Sequence, residues 1–406
     1  MEIAPVLRAL THRKIGVVLI VAQIALSVAI LANSVSIVQQ RQGLMRRPSG
    51  LDEANTFSLT NQFTGSSSDL SARIRTDLAA LRAIPGVIDA TAVQSFPLRG
   101  YGAATTVTLR PDAKSPFNAA EYSLTLNGLH TWDMKLIAGR NFHADEVKDF
   151  WLGISNGAPP TAIITRALAQ RLFPHGGALG QNVYLGTSAP TQIIGIVERA
   201  QTPWAAGSAW GTFGPEESLL VPFQWVSPIL AYVVRTEPGR NDAVLALAPK
   251  RLFAVSRARV ISDAQTFADT RAEQYRSDRA LGLVLTVVCG LLLAVTAFGV
   301  IALTSYWVSQ RRRQIGLRRA VGARRLDIVQ YFQVENLLIS GFGAALGVAL
   351  GFAGNAWLVS AFEMVRMSVA YVIAAAAALL VLSQVAVLWP ALRAAALPPV
   401  AAIRWQ

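Results

Sequence analysis

Four long stretches of this 406-residue sequence contain no Asp, Glu, Lys or Arg. They are bounded by Lys14 and Arg41, Arg279 and Arg311, Glu335 and Glu363, and Arg366 and Arg393. A helix that crosses a bilayer needs about 20 predominantly apolar residues, and a charge at the bilayer centre costs roughly 3 kcal/mol or more. The sequence therefore predicts four transmembrane helices. Their predicted bounds are 15–40, 280–308, 334–358 and 369–389.

Two other interpretations of these stretches are less favourable. A cleaved signal peptide would explain the first, but the apolar run from Ile15 to Val38 exceeds the usual core of about 7–15 residues. Buried helices of a large soluble protein would explain the others. Only 15% of the residues are charged, however, whereas soluble domains average about 25%.

Arginines are concentrated in the predicted loop 309–333. The positive-inside rule places such a loop in the cytoplasm. Four spans then put the segments 1–14 and 390–406 in the cytoplasm as well, and 41–279 and 359–368 on the outer side. The net charge of +13 alone would also fit a nucleic-acid-binding protein, but its position beside the spans predicts no nucleic-acid partner. The arginines of this loop are Arg311, Arg312, Arg313, Arg318, Arg319, Arg324 and Arg325.

The segment 41–279 has the composition of a globular domain and predicts mixed α/β structure, with two lobes. Asp69 precedes a helical pattern with Leu70, Ile74, Leu78 and Leu81 on one face, and a strand is predicted over Val87–Val93. Stalk helices are expected at both ends of the domain. The run Ala264–Ala280 has no Pro or Gly and predicts one helix continuous with the second span, the alternative being an ordinary linker. Further predicted elements are strands at Phe57–Thr60, Thr191–Val197 and Ala231–Arg235 and a helix from about Thr165.

Motifs of enzyme chemistry are missing from the sequence. There is no phosphate-binding Gly-x-x-x-x-Gly-Lys-Ser/Thr loop and no Gly-x-Ser-x-Gly elbow. Cys289 lies in an apolar run, and no His/Cys/Asp spacing resembles a metal site. We therefore expect no catalytic, cofactor-binding or metal-binding residue in this chain. The few polar residues of the spans are expected to form interhelical hydrogen bonds; they are Gln23, Asn33, Asn336, Asn355 and Gln384.

Small residues recur at four-residue or shorter spacing in two of the spans. Such stripes let helix backbones approach closely in lipid. They would pack either within this chain or against a partner chain, and the sequence does not choose between the two. The residues are Ala22, Ala25, Ala29 and Ala32 in the first span and Gly343, Gly347 and Gly351 in the third.

The stretch Phe298–Ala323, with its Arg-Arg-Gln-Ile-Gly-Leu-Arg-Arg-Ala-Val-Gly-Ala core, resembles the signature of FtsX/MacB-type ABC transporter permeases. The closing segment Pro390–Arg404 is also similar to the tail of that family. Motifs of the large segment recur in the family's order and spacing, and the resemblance as a whole covers nearly the whole chain. They are Ala138–Phe142, Ala169–Phe173 with Leu179-Gly180, Ile194–Val197 and Val221–Phe223.

The resemblance implies a permease subunit of the inner membrane with a MacB-like periplasmic core domain. Since the first predicted span starts at Ile15, we expect a stand-alone subunit that works with separate ABC ATPase subunits, which would bind the ATP and Mg²⁺. In the family, two permease chains assemble with two ATPases, and closure of the ATPases moves the periplasmic domains, a process called mechanotransmission. The second permease would be an identical chain or a paralogue.

Efflux through a periplasmic adaptor and an outer-membrane channel is the first choice of function. Lipoprotein extraction and control of a cell-wall hydrolase are alternatives within the family, and a membrane sensor or scaffold with an extracytoplasmic ligand-binding domain is an alternative of another class.

The arginine-rich loop is the expected docking element for the ATPase. Residues 309–333 are predicted to form an amphipathic coupling helix with Ile315, Val321, Ile328 and Phe332 on its apolar face. The family's usual Glu in this loop is Gln314 here, so one charged contact is expected to be replaced. The predicted docking residues are Arg313, Gln314, Ile315, Gly316, Leu317, Arg318, Arg319, Ala320, Val321, Gly322 and Ala323.

Overall fold

A computed structural model of the chain describes residues 14–65, 69–111, 113, 116–151, 157–205, 213–362 and 366–396. The chain forms two compact units. One comprises residues 1–43 and 278–406, and the other, the inserted domain, comprises residues 44–277. The predicted end segments 1–14 and 390–406 and the loop 359–368 lie partly outside the described residues.

The described residues contain ten helices. In chain order they are α1 (Lys14–Met45), α2 (Leu70–Arg82), α3 (Gly128–Trp132), α4 (Arg166–Leu172), α5 (Asn241–Val255), α6 (Phe267–Gln274), α7 (Arg276–Gln310), α8 (Arg312–Ala320), α9 (Arg325–Phe362) and α10 (Val369–Ala395).

The thirteen strands of the described residues all belong to the inserted domain. They are β1 (Thr56–Phe63), β2 (Val87–Val93), β3 (Ala103–Thr108), β4 (Phe117–Ser123), β5 (Leu136–Gly139), β6 (Lys148–Trp151), β7 (Thr161–Thr165), β8 (Asn182–Leu185), β9 (Pro190–Val197), β10 (Ser218–Val221), β11 (Phe223–Val226), β12 (Ile229–Thr236) and β13 (Arg259–Thr266).

Helices α1, α7, α9 and α10 are long and apolar enough to cross a membrane, which confirms the four predicted spans. Each helix continues beyond its predicted bounds on at least one side. Helix α7 has 35 residues and α9 has 38, so at 1.5 Å per residue they are about 52 and 57 Å long. Both exceed the roughly 30 Å of hydrocarbon in a bilayer, so their polar ends extend past the apolar layer.

Polar side chains of the spans join neighbouring helices. The Gln23 Nε2 atom donates to the Val295 carbonyl oxygen at 2.9 Å, and the Ser27 and Thr296 hydroxyl oxygens are 3.0 Å apart. The Asn33 Nδ2 atom donates to the Gly351 carbonyl oxygen at 3.2 Å. These bonds are the interhelical role predicted for Gln23 and Asn33, because a polar group in hydrocarbon is satisfied by a neighbouring helix.

The inserted domain contains a four-stranded sheet in the order β13-β1-β12-β2 and a larger sheet in the order β5-β9-β7-β10-β4-β3-β8. In the larger sheet β8 also pairs with β9, so six strands close into a ring with β5 added at its outside. Closure leaves those strands without free edges. Helices α2 and α5 pack on the four-stranded sheet. Strands β6 and β11 form a third, two-stranded sheet. One core lies at each of the two larger sheets, and another contains residues of both, such as Val93 and Ile163.

Local sequence signals account for much of this domain. Strand β2 has the bounds predicted from sequence, and the Asp69 carboxylate accepts the Ala72 backbone N–H at 3.0 Å at the start of α2. Inside the inserted domain, the buried Arg259 guanidinium donates to both oxygens of the buried Asp77 carboxylate, at 2.7 and 2.9 Å. The Tyr232 hydroxyl donates to the same carboxylate at 2.7 Å. A buried ion pair of this kind is tolerated because its hydrogen bonds are satisfied.

The predicted uninterrupted helix over Ala264–Ala280 is wrong. Strand β13 continues to Thr266, whose hydroxyl and the Asp269 carboxylate form a capping box that starts α6. Helix α6 ends at Gln274, and Tyr275 separates it from α7. The buried Tyr275 side chain is anchored in the inserted domain, so the helical path is interrupted there.

Candidate coupling region

The arginine-rich loop is a helix–turn–helix and not the single amphipathic helix predicted over 309–333. Helix α8 is joined to α7 at Arg311 and ends at Ala320. Gly322 has a φ of +103°, a left-handed conformation in which a side chain is strained, and it turns the chain. Helix α9 starts at Arg325 and continues into the third span without a break. The sequence reasoning missed the turn because it followed the apolar spacing and passed over Gly322.

A buried ion pair ties the start of this loop to α9. The Arg311 guanidinium donates to the two Glu335 carboxylate oxygens at 2.9 and 3.1 Å, and to the Tyr331 hydroxyl at 3.1 Å. The side chains of Arg311 and Glu335 are only 10% and 4% exposed. Two parallel N–H···O bonds between charged groups fix both position and orientation. Helix α8 therefore follows a residue that is held firmly against α9.

The two faces of α8 differ in exposure. Ile315 and Gly316 of α8 are buried, as are Ile328 and Phe332 of α9, within the unit that contains the four spans. Leu317 is 65% exposed and lies between exposed arginines. Of the predicted docking residues, the exposed ones are Arg313, Gln314, Leu317, Arg318, Ala320, Val321 and Gly322, whereas Arg319 and Ala323 are half-buried.

Val321 does not occupy the apolar face predicted for it. It is the residue after the last turn of α8, and it is 83% exposed. The turn at Gly322 takes it out of the helical periodicity that related it to Ile315 and Ile328. With Leu317 it makes an apolar surface beside the arginines, which we call the α8 docking face and define as Arg313, Leu317, Arg318 and Val321.

The glycine stripe of α9 packs on α1 of the same chain. A Cβ on Gly347 would lie 2.7 Å from the Ala25 carbonyl oxygen and 2.7 Å from the Val28 Cβ atom. A Cβ on Gly343 would lie 3.1 Å from the Ile24 Cβ atom, and one on Gly351 would lie 3.6 Å from the Ala29 Cα atom. Ala25 and Ala32 are buried, Ala29 is half-buried and Ala22 is exposed. The glycine stripe therefore serves contact within the chain, and Ala22 remains available to another surface.

The two points where the chain enters and leaves the inserted domain are joined by hydrogen bonds. The Arg271 guanidinium donates to the Met45 carbonyl oxygen at 2.9 Å and to the Arg47 carbonyl oxygen at 3.0 Å. The Tyr275 hydroxyl donates to the Leu44 carbonyl oxygen at 3.2 Å and accepts from the Gln201 Nε2 atom at 2.8 Å. Because the last carbonyls of a helix have no partner within it, Arg271 and Tyr275 cap the end of α1. We call these bonds the α1 clamp.

Two carboxyl groups of the inserted domain have shifted pKa values. Burial raises the pKa of Glu121 on β4 from its usual 4.5 to about 7. Hydrogen bonds from Arg140 hold the pKa of Glu146 at about 2, with both Arg140 terminal nitrogens 2.8 Å from its carboxylate oxygens. Across the described ranges, no three His, Cys, Asp or Glu side chains form a group that could hold a metal ion.

Sequence reasoning missed Glu335, Tyr331, Arg271 and Tyr275. Glu335 was visible as the acid that bounds an apolar stretch, and Arg311 as the first cation after another, but their pairing depends on how two helices cross. Arg271 and Tyr275 were hidden in a run predicted to be one helix. A single acid at the edge of an otherwise charge-free span is a signal that could have pointed to a buried ion pair.

Family models cover most of the chain. The MacB-like periplasmic core domain matches residues 17–250, more than half of the 406 residues, and the FtsX-like permease C-terminal domain matches residues 286–399. The chain belongs to the FtsX/MacB family of ABC transporter permeases. The resemblance drawn from the arginine-rich signature and the closing segment is thereby confirmed, as is the mixed α/β domain between the first and second spans.

Individual relatives are distant. The macrolide export ATP-binding/permease protein MacB of Escherichia coli strain K12 is 24% identical over 270 residues, which are 64% of this chain and 40% of the relative. The protein of the same name from Shigella flexneri has the same identity and coverage. This FtsX/MacB permease thus spans two-fifths of the length of those relatives.

Two solved structures are similar in part. The periplasmic region of MacB from Actinobacillus actinomycetemcomitans covers 56% of this chain and 97% of its own, with 16% identity and a TM-score of 0.33. The extracellular domain of the noncanonic ABC-type transporter YknZ from Gram-positive bacteria covers 52% and 100%, with 16% identity and a TM-score of 0.32.

Proposed function

We propose that this chain is the permease subunit of an ABC transporter and that it couples ATP hydrolysis by a separate cytoplasmic ATPase to movement of its periplasmic domain. The observation that carries the proposal is the α8 docking face, an exposed basic and apolar surface on a helix that is anchored at Arg311 to Glu335 of α9. In this proposal the chain itself hydrolyses no ATP, and ATP and Mg²⁺ bind to the partner.

The docking face has the chemistry of a helix that binds in a groove. Leu317 and Val321 offer apolar anchors, and Arg313 and Arg318 can pair with carboxylates at the rim of such a groove. Gln314 is exposed beside them and offers an uncharged hydrogen-bond partner where the family has Glu. The partner surface that fits is therefore an acidic groove on the ATPase.

Force applied to α8 has a direct route into the membrane. Because Arg311 is held by two charged hydrogen bonds to Glu335, displacement of α8 acts on α9. Helix α9 is continuous over 38 residues, so it transmits the displacement as a rigid rod. The α1 clamp holds the last residues of α1, Leu44 and Met45, within the inserted domain.

The proposed topology follows from the arginines of the loop. Seven arginines between residues 311 and 325 favour the cytoplasm, which places both termini there and the inserted domain in the periplasm. The membrane is then the inner membrane of the cell. The proposed assembly contains two ATPase chains and a second permease, identical or paralogous, and Ala22 is exposed for that contact.

Export from the periplasm is the direction that we propose. It is supported by the macrolide export proteins to which the chain is similar. A periplasmic adaptor and an outer-membrane channel would complete such a pathway. Lipoprotein extraction and regulation of a cell-wall hydrolase use the same coupling and differ in what the periplasmic domain contacts.

Charge reversal on the docking face tests the coupling. In membranes that contain the permease and its ATPase, Arg313→Glu with Arg318→Glu should abolish permease-dependent stimulation of ATP hydrolysis, a loss of at least about tenfold, because carboxylates would then face carboxylates. The variant should still insert, since both residues are exposed. The matched control is Arg276→Glu with Arg279→Glu, which changes the net charge equally near the other end of α7. Unchanged stimulation in the docking-face variant would rule out this face as the ATPase contact.

A further inference from the structure

A polar pocket lies between the ends of α7 and α10. It has a volume of about 230 Å³ and is lined by Ser305, Ser309, Arg312, Trp389 and Arg393, among others. That volume is several times the roughly 30 Å³ that one water molecule occupies in the liquid. The pocket is distinct from the α8 docking face, since Arg312 is the one residue of α8 that lines it.

The ends of α7 and α10 place the pocket near the expected boundary between bilayer and water. Both helices are long and apolar enough to cross a membrane, and the lining residues Ser305 and Trp389 lie within two turns of the last residues of these helices, Gln310 and Ala395. Trp389 is 57% exposed, and the Arg393 guanidinium lies 5.2 Å from the centre of its ring. Exposed indole rings concentrate at the level of lipid headgroups, where one edge is apolar and the other is hydrated.

No described residue of the protein balances the charge of the pocket. Within the ranges that the structure describes, neither Arg312 nor Arg393 has a carboxylate at salt-bridge distance. Arg393 is in the last turn of α10, where a cation offsets the helix dipole. Arg312 is the first residue of α8, where a cation is unfavourable and where no acidic residue occupies the first turn. The dipole therefore does not account for Arg312, and the two guanidinium groups that line the pocket can together bind an anion.

We propose that this pocket binds the phosphate of an anionic phospholipid headgroup. Arg312 and Arg393 would hold the phosphate oxygens, and the Ser305 hydroxyl can donate to a remaining oxygen. The Ser309 hydroxyl donates to the Tyr306 carbonyl oxygen at 2.8 Å, so it lines the pocket with its oxygen atom. The exposed Trp389 ring and the apolar surface of the two helices would contact the acyl chains. Basic pockets between membrane helices are a recognised form of lipid-headgroup site. The inference goes beyond the proposed coupling function and does not depend on an ATPase.

The test measures lipid retained by the full chain in nanodiscs that contain phosphatidylcholine and phosphatidylglycerol. Bound lipid is counted by native mass spectrometry after transfer to neutral detergent. Wild type should retain phosphatidylglycerol selectively, and Arg312→Gln with Arg393→Gln should bind it roughly 10- to 30-fold more weakly. Each arginine near the surface contributes a factor of about five, so the two together contribute a factor of about 25. Arg312→Lys with Arg393→Lys should restore most of the binding.

Arg324→Gln with Arg325→Gln is the matched control. It removes the same charge from two exposed arginines of the same loop that do not line the pocket. Equal retention by wild type and the pocket variant would overturn the proposal, and so would equal loss in the control, which would indicate general surface charge. If the double variant fails to fold, the single variant Arg312→Gln provides the same test. The helix dipole does not stabilise a cation at position 312, so this single change is not expected to disturb folding.

A competition experiment with a soluble phosphate ester distinguishes a lipid headgroup from a free phosphate compound as the ligand. Glycerol 3-phosphate is added to the protein in neutral detergent with bound phosphatidylglycerol. No displacement at concentrations well above that of the lipid is expected, because the soluble compound lacks the acyl chains. Displacement at equal concentration would overturn the lipid assignment and identify the pocket as a site for soluble phosphate esters.

Discussion

The ion pair between Arg311 and Glu335 is the residue-scale feature on which the coupling region depends. Glu335→Gln leaves the Arg311 charge buried without its partner, so we expect the free energy of unfolding to fall by about 3 kcal/mol or more. Arg311→Met with Glu335→Leu removes both charges and should be less destabilising than the single change. Reversible unfolding of the full chain in mixed detergent measures both. A double variant at least as unstable as the single one would contradict the account of a desolvated pair.

Glu121 gives the inserted domain a pH dependence. Since its pKa is raised by burial to about 7 in the folded chain and is 4.5 otherwise, the folded state holds a proton that the unfolded state loses. The contribution of Glu121 to the free energy of unfolding is fully present below pH 4.5. It declines by at most ~3 kcal/mol as the pH rises to about 7. Glu121→Gln should therefore stabilise the domain at pH 8 relative to wild type and have little effect at pH 4.5.

Glu146 is the control for that pH dependence. Its pKa of about 2 keeps it ionised in the folded chain at both pH 4.5 and pH 8, so its contribution to the free energy of unfolding differs little between these two values. Glu146→Gln loses the ion pair with Arg140 and should lower stability by a similar amount at both pH values. Denaturant unfolding of the full chain, followed at each pH, compares the two variants. Identical pH profiles for wild type and Glu121→Gln would refute the assignment of a raised pKa.

At the scale of elements, close packing of α9 on α1 depends on the absence of a side chain at Gly347. A methyl group there would lie 2.7 Å from the Ala25 carbonyl oxygen, so Gly347→Ala should force the helices apart and cost about 1–3 kcal/mol. Gly341→Ala on the same helix meets no atom within 4 Å, and it should be neutral or stabilising because alanine favours helix. Thermal unfolding in detergent distinguishes them. Equal effects at both positions would show that the glycine contact is not tight.

Elements that depend on local signals were predicted well. Strand β2 follows from the Pro85-Gly86 break before it, the start of α2 from the Asp69 capping side chain, and the four spans from the exclusion of charge. The breaks at Tyr275 and Gly322 were missed because one depends on a tyrosine buried by distant residues and the other on a single backbone conformation. Sheet order was also beyond prediction, since β1 pairs with β12 and β13, more than 160 residues further along the chain.

At the scale of the whole molecule, the candidate site was predicted as a region but not as a mechanism. The arginines and Gln314 identified the loop, and its basic composition indicated that α8 has an exposed, positively charged surface. The groups that anchor it, Glu335 and Tyr331, come from another helix, and their position is set by tertiary packing that no spacing reveals. The absence of charged residues predicts where a transmembrane helix lies in the sequence. An ion pair between two such helices depends on which helices pack together, and the sequence pattern does not reveal this.

The α1 clamp is expected to transmit movement of α1 to the inserted domain. Arg271 donates to carbonyls of Met45 and Arg47, and hydrogen bonds from a charged group contribute about 1.5–3 kcal/mol. If the clamp makes α1 and the inserted domain move together, Arg271→Ala should leave stimulation of the ATPase intact while export per ATP falls by roughly tenfold. Arg276→Ala is the control, because its side chain is exposed and pairs only locally with Glu273. ATP hydrolysis is measured in reconstituted vesicles, and export is measured in cells that contain the complete pathway. Unimpaired export by Arg271→Ala would mean that movement reaches the inserted domain without the clamp, and a joint loss of both activities would place Arg271 in folding.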